Sequence, residues 1–446
     1  MQTDDLALLL YLTPVLILLV WYVSRQRQAE ARNRVSLQES LDTGMTEPAS
    51  LHPVINPALC IGCGSCVSAC PEGDVLGLIK RKAVLITPSE CIGHGACKAA
   101  CPQGAIELVI GTESRGVEIP VLTPAFETSV PGIFVAGELG GMGLVKNAVE
   151  QGQQAMQSIA RQLASTSRHD PDDPSADTTC LYDVVIVGAG PAGISAALEA
   201  QSRSMKVLVI DRSKVGGTVA HFPRQKLVMT APVILPGVGK VHFREIQKED
   251  LIAFWQKTVT EKSLPIHENE TLTDIRPQTS GFEVITDQRS CTTRFVLLAM
   301  GRRGTPRKLG VPGEELHKVA YELDDPAQYA GQQMLVVGGG DSAVEAAVSL
   351  AEHSPGKVTL AYRGDAFNRA KKKNRDRLDA AVSAGNLQLL TRAEPARITS
   401  AEVILTTAAD EAVIPNDFTI VCAGGVLPTP FLRDIGIHIE TRHGQV

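Results

Sequence analysis

The sequence has few aromatic residues and no excess of positive charge. Aromatic side chains make up 4% of the 446 residues, which leaves little material for stacking on nucleobases. Lysine and arginine number 43 against 49 aspartate and glutamate residues, and the net charge of -6 has the wrong sign for a protein devoted to nucleic acid. Cysteine is scarce outside the segment from Cys60 to Cys101, so a secreted disulfide scaffold is excluded and a metal site is indicated.

Length and composition bound the fold class. Hydrophobic residues at 44% and charged residues at 21% are ordinary for a globular chain. At roughly 150 residues per domain, this length predicts about three domains with cores large enough to bind cofactors.

An uncharged apolar run lies near the amino terminus. Leu6 to Val23 reads LALLLYLTPVLILLVWYV, close to the roughly 20 residues that cross a hydrocarbon core. A cleaved signal peptide is disfavoured, because no basic region precedes the run and no small-residue cleavage site follows it. The sequence predicts one transmembrane helix, with residues 1–34 as anchor and basic flank. Because arginines follow the run, the catalytic part is expected on the cytoplasmic side of the cytoplasmic membrane.

Two cysteine runs follow the anchor. The first has the spacing C-x2-C-x2-C-x3-C-P, in which three thiolates of one glycine-rich loop hold one cubane and the fourth ligates another cluster. A zinc site more often uses two separated pairs. The run repeats from Cys91, with His94 where the second cysteine would stand. The candidate metal ligands are Cys60, Cys63, Cys66, Cys70, Cys91, His94, Cys97 and Cys101.

Residues 52–110 resemble a two-cluster bacterial-type ferredoxin domain of α+β fold. The resemblance implies a first cluster on Cys60, Cys63, Cys66 and Cys101, and a second on Cys91, Cys97 and Cys70 with one position at His94. Three outcomes are open for the second site: imidazole ligation, which raises the reduction potential; a three-iron cluster or a four-iron cluster with an open corner; or an empty site.

A full dinucleotide fingerprint begins after the second run. Asp183 to Asp211 reads as a strand, a glycine turn, a helix and a second strand ending in an acid. Glycines at such a turn let a pyrophosphate approach the helix amino terminus, and the acid bonds ribose hydroxyls. The candidate residues of this site are Gly188, Gly190, Gly193 and Asp211.

A second fingerprint has no acid at the end of its second strand. Arg363 stands there instead, where a cation accepts a 2′-phosphate, so NADPH is favoured over NADH. The lysines at 371–373 are read as a solvated basic face. The candidate residues of this site are Gly338, Gly340, Asp341, Ser342, Ala343, Arg363 and Arg369.

These motifs resemble the thioredoxin-reductase-like branch of the flavoprotein disulfide reductases. The resemblance implies an FAD domain split around an NAD(P)H domain, with Gly216 and Gly217 of VGGT contacting FAD through the backbone. The stretch that closes over the flavin in the family, like TSVPGIFVAGD, is found here upstream, at Thr128, with Gly137 and Glu138 at the family's Gly-Asp positions. We infer a circular permutation that joins this segment to the ferredoxin domain.

The family's CxxC pair before the second fingerprint is missing. Without it the usual disulfide relay cannot run, and the chain resembles ferredoxin-NADP reductases with the acceptor built in. The three remaining cysteines, Cys180, Cys291 and Cys422, are expected in the core, and His221 is given a structural role.

The expected fold class is α/β, with two doubly wound dinucleotide-binding domains, the small α+β ferredoxin domain and the transmembrane helix. The domains are predicted at 1–34 (anchor), 52–110 (ferredoxin), 111–164 (permuted FAD-domain segment), 165–179 (linker), 180–315 (FAD domain), 316–430 (NAD(P)H domain) and 431–446 (return toward the FAD domain).

The expected function is a membrane-anchored FAD-dependent oxidoreductase that moves electrons between NAD(P)H and the iron–sulfur clusters of its own ferredoxin domain, and on to or from a redox partner. The alternatives are a reductase of a small disulfide or other small acceptor, and a non-catalytic redox sensor or scaffold at the membrane. The expected cofactors are FAD, NADPH and two iron–sulfur clusters. A homodimer is expected from the family, and no nucleic acid partner is expected.

Overall fold

The structure, a computed structural model, describes residues 2–48, 51–141, 143–166, 181–222, 224, 226–243, 245–367, 370–408 and 410–444. The chain divides into two compact units. One unit comprises Met1–Gly116 with His443–Val446, and the other comprises Val117–Arg442. The predicted linker at 165–179 lies almost entirely outside the described residues, and its first two positions belong to a helix that ends at Thr166.

The first unit consists of a long amino-terminal helix followed in sequence by a small α+β fold. Its elements are α1 (Gln2–Asp42), β1 (Leu51–Ile55), α2 (Ser65–Ala69), β2 (Leu76–Ile79), β3 (Lys82–Leu85), α3 (Ala96–Ala99) and β4 (Ile106–Ile110). Strand β1 pairs antiparallel with β4, and β2 pairs antiparallel with β3. Each cysteine run extends into a short helix; the first is followed by the β2–β3 pair and the second by β4, which pairs back with β1.

The prediction of a transmembrane helix was wrong. Within the part of the chain that the structure describes, no helix is long and apolar enough to cross a bilayer. The apolar stretch is part of helix α1 (Gln2–Asp42). The helix continues into a polar half that packs on the ferredoxin fold, where Asn33 donates to the Leu78 carbonyl (3.1 Å) and Ser40 to that of Ile86 (2.8 Å).

The second unit contains the remaining helices and strands. The helices are α4 (Val145–Thr166), α5 (Pro191–Ser202), α6 (Lys248–Glu261), α7 (Asp341–His353), α8 (Lys372–Ser383) and α9 (Thr429–Asp434). The strands are β5 (Val117–Pro120), β6 (Ile133–Val135), β7 (Tyr182–Val187), β8 (Val207–Ile210), β9 (Leu227–Met229), β10 (Val233–Leu235), β11 (Gly239–Val241), β12 (Glu245–Gln247), β13 (Ile266–His267), β14 (Leu272–Gln278), β15 (Gly281–Thr286), β16 (Ser290–Leu298), β17 (Thr305–Pro306), β18 (Val319–Ala320), β19 (Met334–Val337), β20 (Val358–Tyr362), β21 (Leu387–Thr391), β22 (Glu394–Ile398), β23 (Glu402–Thr406), β24 (Glu411–Pro415), β25 (Phe418–Val421), β26 (Gly425–Val426) and β27 (Ile439–Arg442).

The larger sheet of this unit has the order β13-β8-β7-β16-β15-β14. The pairings from β13 to β16 are parallel, and β15 and β14 extend the sheet antiparallel. Strand β6 also pairs with β16 in parallel, with Ile133 opposite Val296. The segment that precedes the first fingerprint in sequence therefore supplies a strand to the sheet that carries this fingerprint.

Helix α4 covers one face of this sheet together with α5. Ser195 of α5 is fully buried and donates to the Val149 carbonyl of α4 at 2.9 Å. The apolar core between these helices and the sheet includes Phe134, Met156 and Ile194, none of which is exposed. Burying side chains of this size stabilises the fold by about 1.5–3 kcal/mol each, so α4 is an integral part of this domain.

A second parallel sheet has the order β18-β25-β19-β20-β21. Its strands are near-continuous apolar runs, such as MLVV in β19, because helices and a small β22-β23-β24 sheet cover both faces. The larger, mixed sheet and this parallel sheet give the unit its α/β class, with one fingerprint on each.

Candidate functional site

Four cysteines line one cavity in the first unit. Cys60 and Cys63 come from the loop before α2, Cys66 comes from α2 itself, and Cys101 comes from the end of the second run. Backbone amides approach two of these sulfurs, Ala83 N at 3.5 Å from Cys60 Sγ and Ala105 N at 3.3 Å from Cys101 Sγ. Such N–H···S contacts stabilise thiolate charge and tune a cluster's potential. The set is the one that the ferredoxin resemblance implied for the first cluster.

The other cysteines form a second group. Burial raises the pKa of the thiols of Cys70, Cys91 and Cys97, and the proximity of Cys70 raises the pKa of the other two further. Thiolates so placed are stable only against a cation, since burying an unpaired charge is costly. Among the described side chains, no group of three or more His, Cys, Asp or Glu residues could hold a single metal ion.

His94 lies beside this second group. Its Nε2 is buried and has no hydrogen-bond partner among the described groups, and the nearest carboxylate oxygen, Glu72 Oε1, is 3.7 Å away. Burial lowers the pKa of His94, which keeps the imidazole neutral. A neutral imidazole whose buried nitrogen makes no hydrogen bond, in the run that also holds Cys91 and Cys97, fits the requirements of a cluster ligand.

The loop geometry of the two runs is the same. Gly62 and Gly64 flank Cys63 with φ of 72° and 79°, and Gly93 and Gly95 flank His94 with φ of 80° and 74°. Only glycine adopts such angles at little cost, so the repeated glycines keep His94 where Cys63 stands in the first run. The sequence pattern C-I-G-x-G carried this signal.

The first fingerprint forms a tight turn between β7 and α5. Gly188 has φ of 113°, and a Cβ on Gly193 would lie 1.8 Å from the Gly188 carbonyl oxygen. No side chain caps the amino terminus of α5, so its backbone amides are available to bind a pyrophosphate. Asp211 Oδ2 accepts from Ala189 N at 2.6 Å, so the acid is held at this turn rather than projecting from β8.

Two other predicted elements converge on the same turn. Gly217 packs so closely on Gly190 that a Cβ would come within 2.9 Å of the Gly190 Cα. On another side, Gly137 lies against Ala192 of α5. A cradle closed by glycines on three segments fits a dinucleotide whose pyrophosphate contacts backbone.

Glu138 is buried beside this cradle. Burial raises the pKa of its carboxyl, and the nearby Arg302 guanidinium opposes part of the rise. A Cβ on Gly301 would lie 4.0 Å from Glu138 Oε2 and 3.6 Å from Thr218 Oγ1, so both side chains border this glycine. Sequence reasoning missed Arg302 and Thr218, although Thr218 stands within the VGGT stretch that the resemblance had marked.

The second fingerprint repeats the turn between β19 and α7. Gly338 has φ of 150°, and a Cβ there would meet the Cys422 carbonyl oxygen at 2.4 Å. Gly340 precedes α7 in extended conformation with open space around it, and Ala343 is fully buried. Ser342, also on the first turn of α7, offers its carbonyl to the Cys422 thiol at 3.8 Å.

A predicted residue, Asp341, and a residue that the sequence reasoning missed, Asn374, together organise this second site. Asp341 Oδ1 accepts from Lys371 N (2.8 Å) and from Asn374 Nδ2 (2.7 Å), which anchors α8 on the first turn of α7. Arg363 is exposed immediately after β20, whereas Arg369 lies outside the described residues. The site therefore has a glycine turn and an exposed cation past the neighbouring strand.

Three further side chains have defined surroundings. His221 Nδ1 lies 2.6 Å from Glu322 Oε2, within an ion-paired group that includes Arg303. Cys291 is buried as expected, whereas Cys422 is only partly buried and packs against the core of the second sheet; burial raises the pKa of its thiol to about 12. Cys180 lies outside the described residues.

The fold and these sites together define a class, that of NAD(P)H-dependent flavoprotein oxidoreductases with an attached ferredoxin domain. Residues 185–445 match the model of the pyridine nucleotide-disulphide oxidoreductases, and residues 52–102 match that of the 4Fe-4S dicluster domain. The chain belongs to the pyridine nucleotide-disulphide oxidoreductase family, and it is an electron-transfer oxidoreductase.

Individual relatives agree with this assignment. The ferredoxin–NADP reductase of Streptococcus sanguinis is 31% identical over 273 residues, 59% of this chain and 80% of that protein. The bacilliredoxin reductase Bdr of Bacillus subtilis is 27% identical over 268 residues, 58% of this chain and 82% of that protein. Among solved structures, the bacillithiol disulfide reductase of Staphylococcus aureus, 23% identical, has the same fold with a TM-score of 0.50 over 58% of this chain and 81% of that one.

Proposed function

We propose that this enzyme transfers electrons between NADPH and two iron–sulfur clusters of its own ferredoxin domain, and from there to or from a separate redox partner. The observation that carries the proposal is the separation of the ferredoxin cysteines into two groups on the chain that also holds both dinucleotide turns. A cavity lined by Cys60, Cys63, Cys66 and Cys101 supports the first cluster.

The second cluster is proposed on Cys70, Cys91, Cys97 and His94. The orphaned Nε2 of His94 supports imidazole ligation over an open corner. A neutral ligand in place of thiolate leaves a cluster less negative, so the two clusters would differ in potential.

The reductase unit supplies the binding groups for both dinucleotides. FAD, when bound, converts two-electron hydride transfer into the single-electron steps that clusters accept. The α5 amino terminus would hold its pyrophosphate, with Asp211 fixing the turn. The α7 amino terminus would hold that of NADPH, and Arg363 would pair with the 2′-phosphate.

We also propose that the reductase is circularly permuted. Strand β6 and helix α4 precede the first fingerprint in sequence, yet they complete its sheet and cover α5. Strand β5 pairs antiparallel with β27 near the carboxyl end, with Val117 opposite Arg442. Homodimer formation and the cellular location stay predictions.

The test is anaerobic reduction of the purified full-length chain by NADPH, followed by visible and low-temperature paramagnetic resonance spectra. Flavin bleaching with two distinct reduced-cluster signals is the expected result. Cys66→Ser should remove one signal and Cys97→Ser the other, whereas Cys291→Ala, a buried cysteine outside both groups, should leave both unchanged. Flavin bleaching with fully oxidised clusters would contradict the proposal.

One alternative has an observation in its favour. Two relatives named above are reductases of bacilliredoxin and of bacillithiol disulfide, so a small disulfide acceptor is a second candidate. Rapid NADPH oxidation with such a disulfide, unaffected by Cys66→Ser and Cys97→Ser, would favour this function. Slow NADPH oxidation with every acceptor would instead favour a redox sensor.

A further inference from the structure

The rim of the first cysteine cavity is exposed and apolar. Leu59 and Ile61, on either side of Cys60, are 50% and 59% exposed, and Cys63 is exposed as well. Large apolar side chains on a surface are unremarkable singly, but Ile61 lines the cavity from which an electron would leave or enter, and Leu59 adjoins the cavity residue Cys60. Such a rim suits a short-lived contact with a second redox protein, since encounters of this kind use small interfaces.

A basic turn lies on the same rim. Lys80 and Arg81 form the two-residue connection between β2 and β3, with Lys82 next to them, and all three are exposed. The Lys82 ammonium donates to the Cys60 carbonyl at 2.6 Å. The Arg81 backbone packs on Gly62, where a Cβ would come within 2.1 Å of the Arg81 oxygen. The turn is therefore fixed against the ligand loop.

Lysine and arginine are unfavourable residue types for the backbone conformation of this turn. Lys80 and Arg81 have φ of 50° and 60°, both in the left-handed region. A two-residue hairpin turn with two positive φ values strongly prefers Asn-Gly. Two cations at these positions cost conformational energy that Asn-Gly would not, and such local conflicts concentrate at functional sites.

The positive charge of the turn is largely uncompensated. None of the described residues that line the cavity is acidic. Glu30, which accepts from the Lys80 backbone amide, is already paired with Arg34 at 2.6 Å. The chain as a whole carries a net charge of -6, so this patch is positively charged on a protein that is negatively charged overall.

We propose that the rim formed by Leu59, Ile61 and the turn 80–82 docks an acidic one-electron carrier protein at the first cluster. The inference rests on the proposed function. When NADPH is the donor, its oxidation yields NADP⁺, one proton that is released to solvent and two electrons. Two carrier molecules each take one electron in successive encounters. Complementary charge brings the carrier to the rim, and the apolar pair allows close contact.

The test uses the full-length enzyme with Lys80→Asn/Arg81→Gly, which removes two charges and installs the preferred turn. The variant should be at least as stable as the wild type. With an acidic flavodoxin as the carrier, its second-order rate of electron exchange should fall about 5- to 10-fold at low salt. The difference should shrink to under about 2-fold at 0.5 M salt, where the Debye length is only several ångströms. Lys98→Gln, an exposed cation beside Cys97, is the matched control and should change little.

Two further measurements separate the possible failures. Binding of oxidised flavodoxin to oxidised enzyme, measured calorimetrically without NADPH, should weaken in the turn variant but not in Lys98→Gln. With a basic cytochrome c, the turn variant should react as fast as the wild type or faster.

Equal flavodoxin affinity and rate in the turn variant and the wild type would overturn the docking inference. Loss of NADPH-driven cluster reduction in the turn variant would overturn it too, since the occupant would then be the enzyme's own reductase unit. Unreduced clusters in the wild type would instead overturn the proposed function.

Discussion

Gly152→Ala tests whether the segment that precedes the first fingerprint belongs to the same domain. Gly152 lies within helix α4, and its Cα faces the backbone of α5. A Cβ at this position would lie 2.1 Å from the Ala192 carbonyl oxygen and 2.9 Å from its carbon. Whether the substitution lowers or raises the free energy of unfolding depends on whether α4 packs against α5.

The two effects of the substitution have opposite signs. In an isolated or loosely packed helix, alanine in place of glycine stabilises by about 1 kcal/mol. Against α5, the new methyl must move two backbones apart by about 1 Å, and overpacking of this kind costs about 3 kcal/mol, the upper end of the usual range. The free energy of unfolding should therefore fall by about 2 kcal/mol, and because α5 carries the first dinucleotide turn, FAD should also bind more weakly.

The measurements are thermal unfolding and FAD retention. A loss of about 2 kcal/mol should lower the melting temperature by about 4–8 °C. Gln154→Ala, at an exposed position of the same helix, should keep both the melting temperature and the FAD content of the wild type. A Gly152→Ala protein that melts at a higher temperature and retains FAD would refute the packing of α4 on α5.

Replacing His94 with cysteine should lower the potential of the second cluster by on the order of 100 mV, because thiolate adds negative charge where imidazole is neutral. Redox titration followed by paramagnetic resonance measures this, and an unshifted potential would mean that the imidazole is not a ligand. Arg363→Gln should lower kcat/KM for NADPH about 10- to 100-fold, since a charge-assisted bond to the 2′-phosphate is worth about 1.5–3 kcal/mol. Steady-state rates with NADH, which lacks that phosphate, should stay the same, and an equal loss with both nucleotides would rule out this role.

The parts of the sites that could be predicted are those set by short-range geometry. A cubane requires thiolates at fixed spacing, so the cysteine runs indicated the ligand groups before any fold was known. A turn that brings backbone against pyrophosphate excludes side chains, so Gly188 and Gly193 were recognisable from spacing alone. In both cases the chemistry constrains consecutive residues.

Residues whose partners are far away in the sequence could not be recognised from the spacing of motifs. Gln151 Oε1 accepts from Gly137 N at 2.9 Å, and Asn374 ties α8 to the second turn. Each is an ordinary polar helix residue whose role depends on which strand or helix lies opposite. The transmembrane prediction rested on the hydropathy of one stretch alone, which carried no information about the rest of α1, whose later half packs on the ferredoxin fold.

If the reductase is circularly permuted as proposed, the pairing of β5 with β27 marks the point at which the ancestral chain was opened. Their register, Ile439 opposite Pro120 and Arg442 opposite Val117, is that of two strands joined by a hairpin. Exposed hairpin tips tolerate new termini, because few tertiary contacts cross them. We therefore expect a rearranged chain, residues 181–444 followed directly by residues 113–166, to retain FAD and NADPH–ferricyanide activity without the ferredoxin domain. The matched control, residues 181–444 alone, should lose FAD because β6 and α4 are missing.

Those two chains together decide the question of permutation. Activity in the rearranged chain but not in the truncated one would mean that the segment functions at either end of the reductase, as a permuted FAD domain requires. FAD retained by both chains would mean that the segment is dispensable and would refute the permutation. If the rearranged chain folded with a wild-type circular dichroism spectrum but without FAD, the hairpin connection would be wrong, since the same β5–β27 register would then fail to place Gly137 and Glu138 at the first dinucleotide turn.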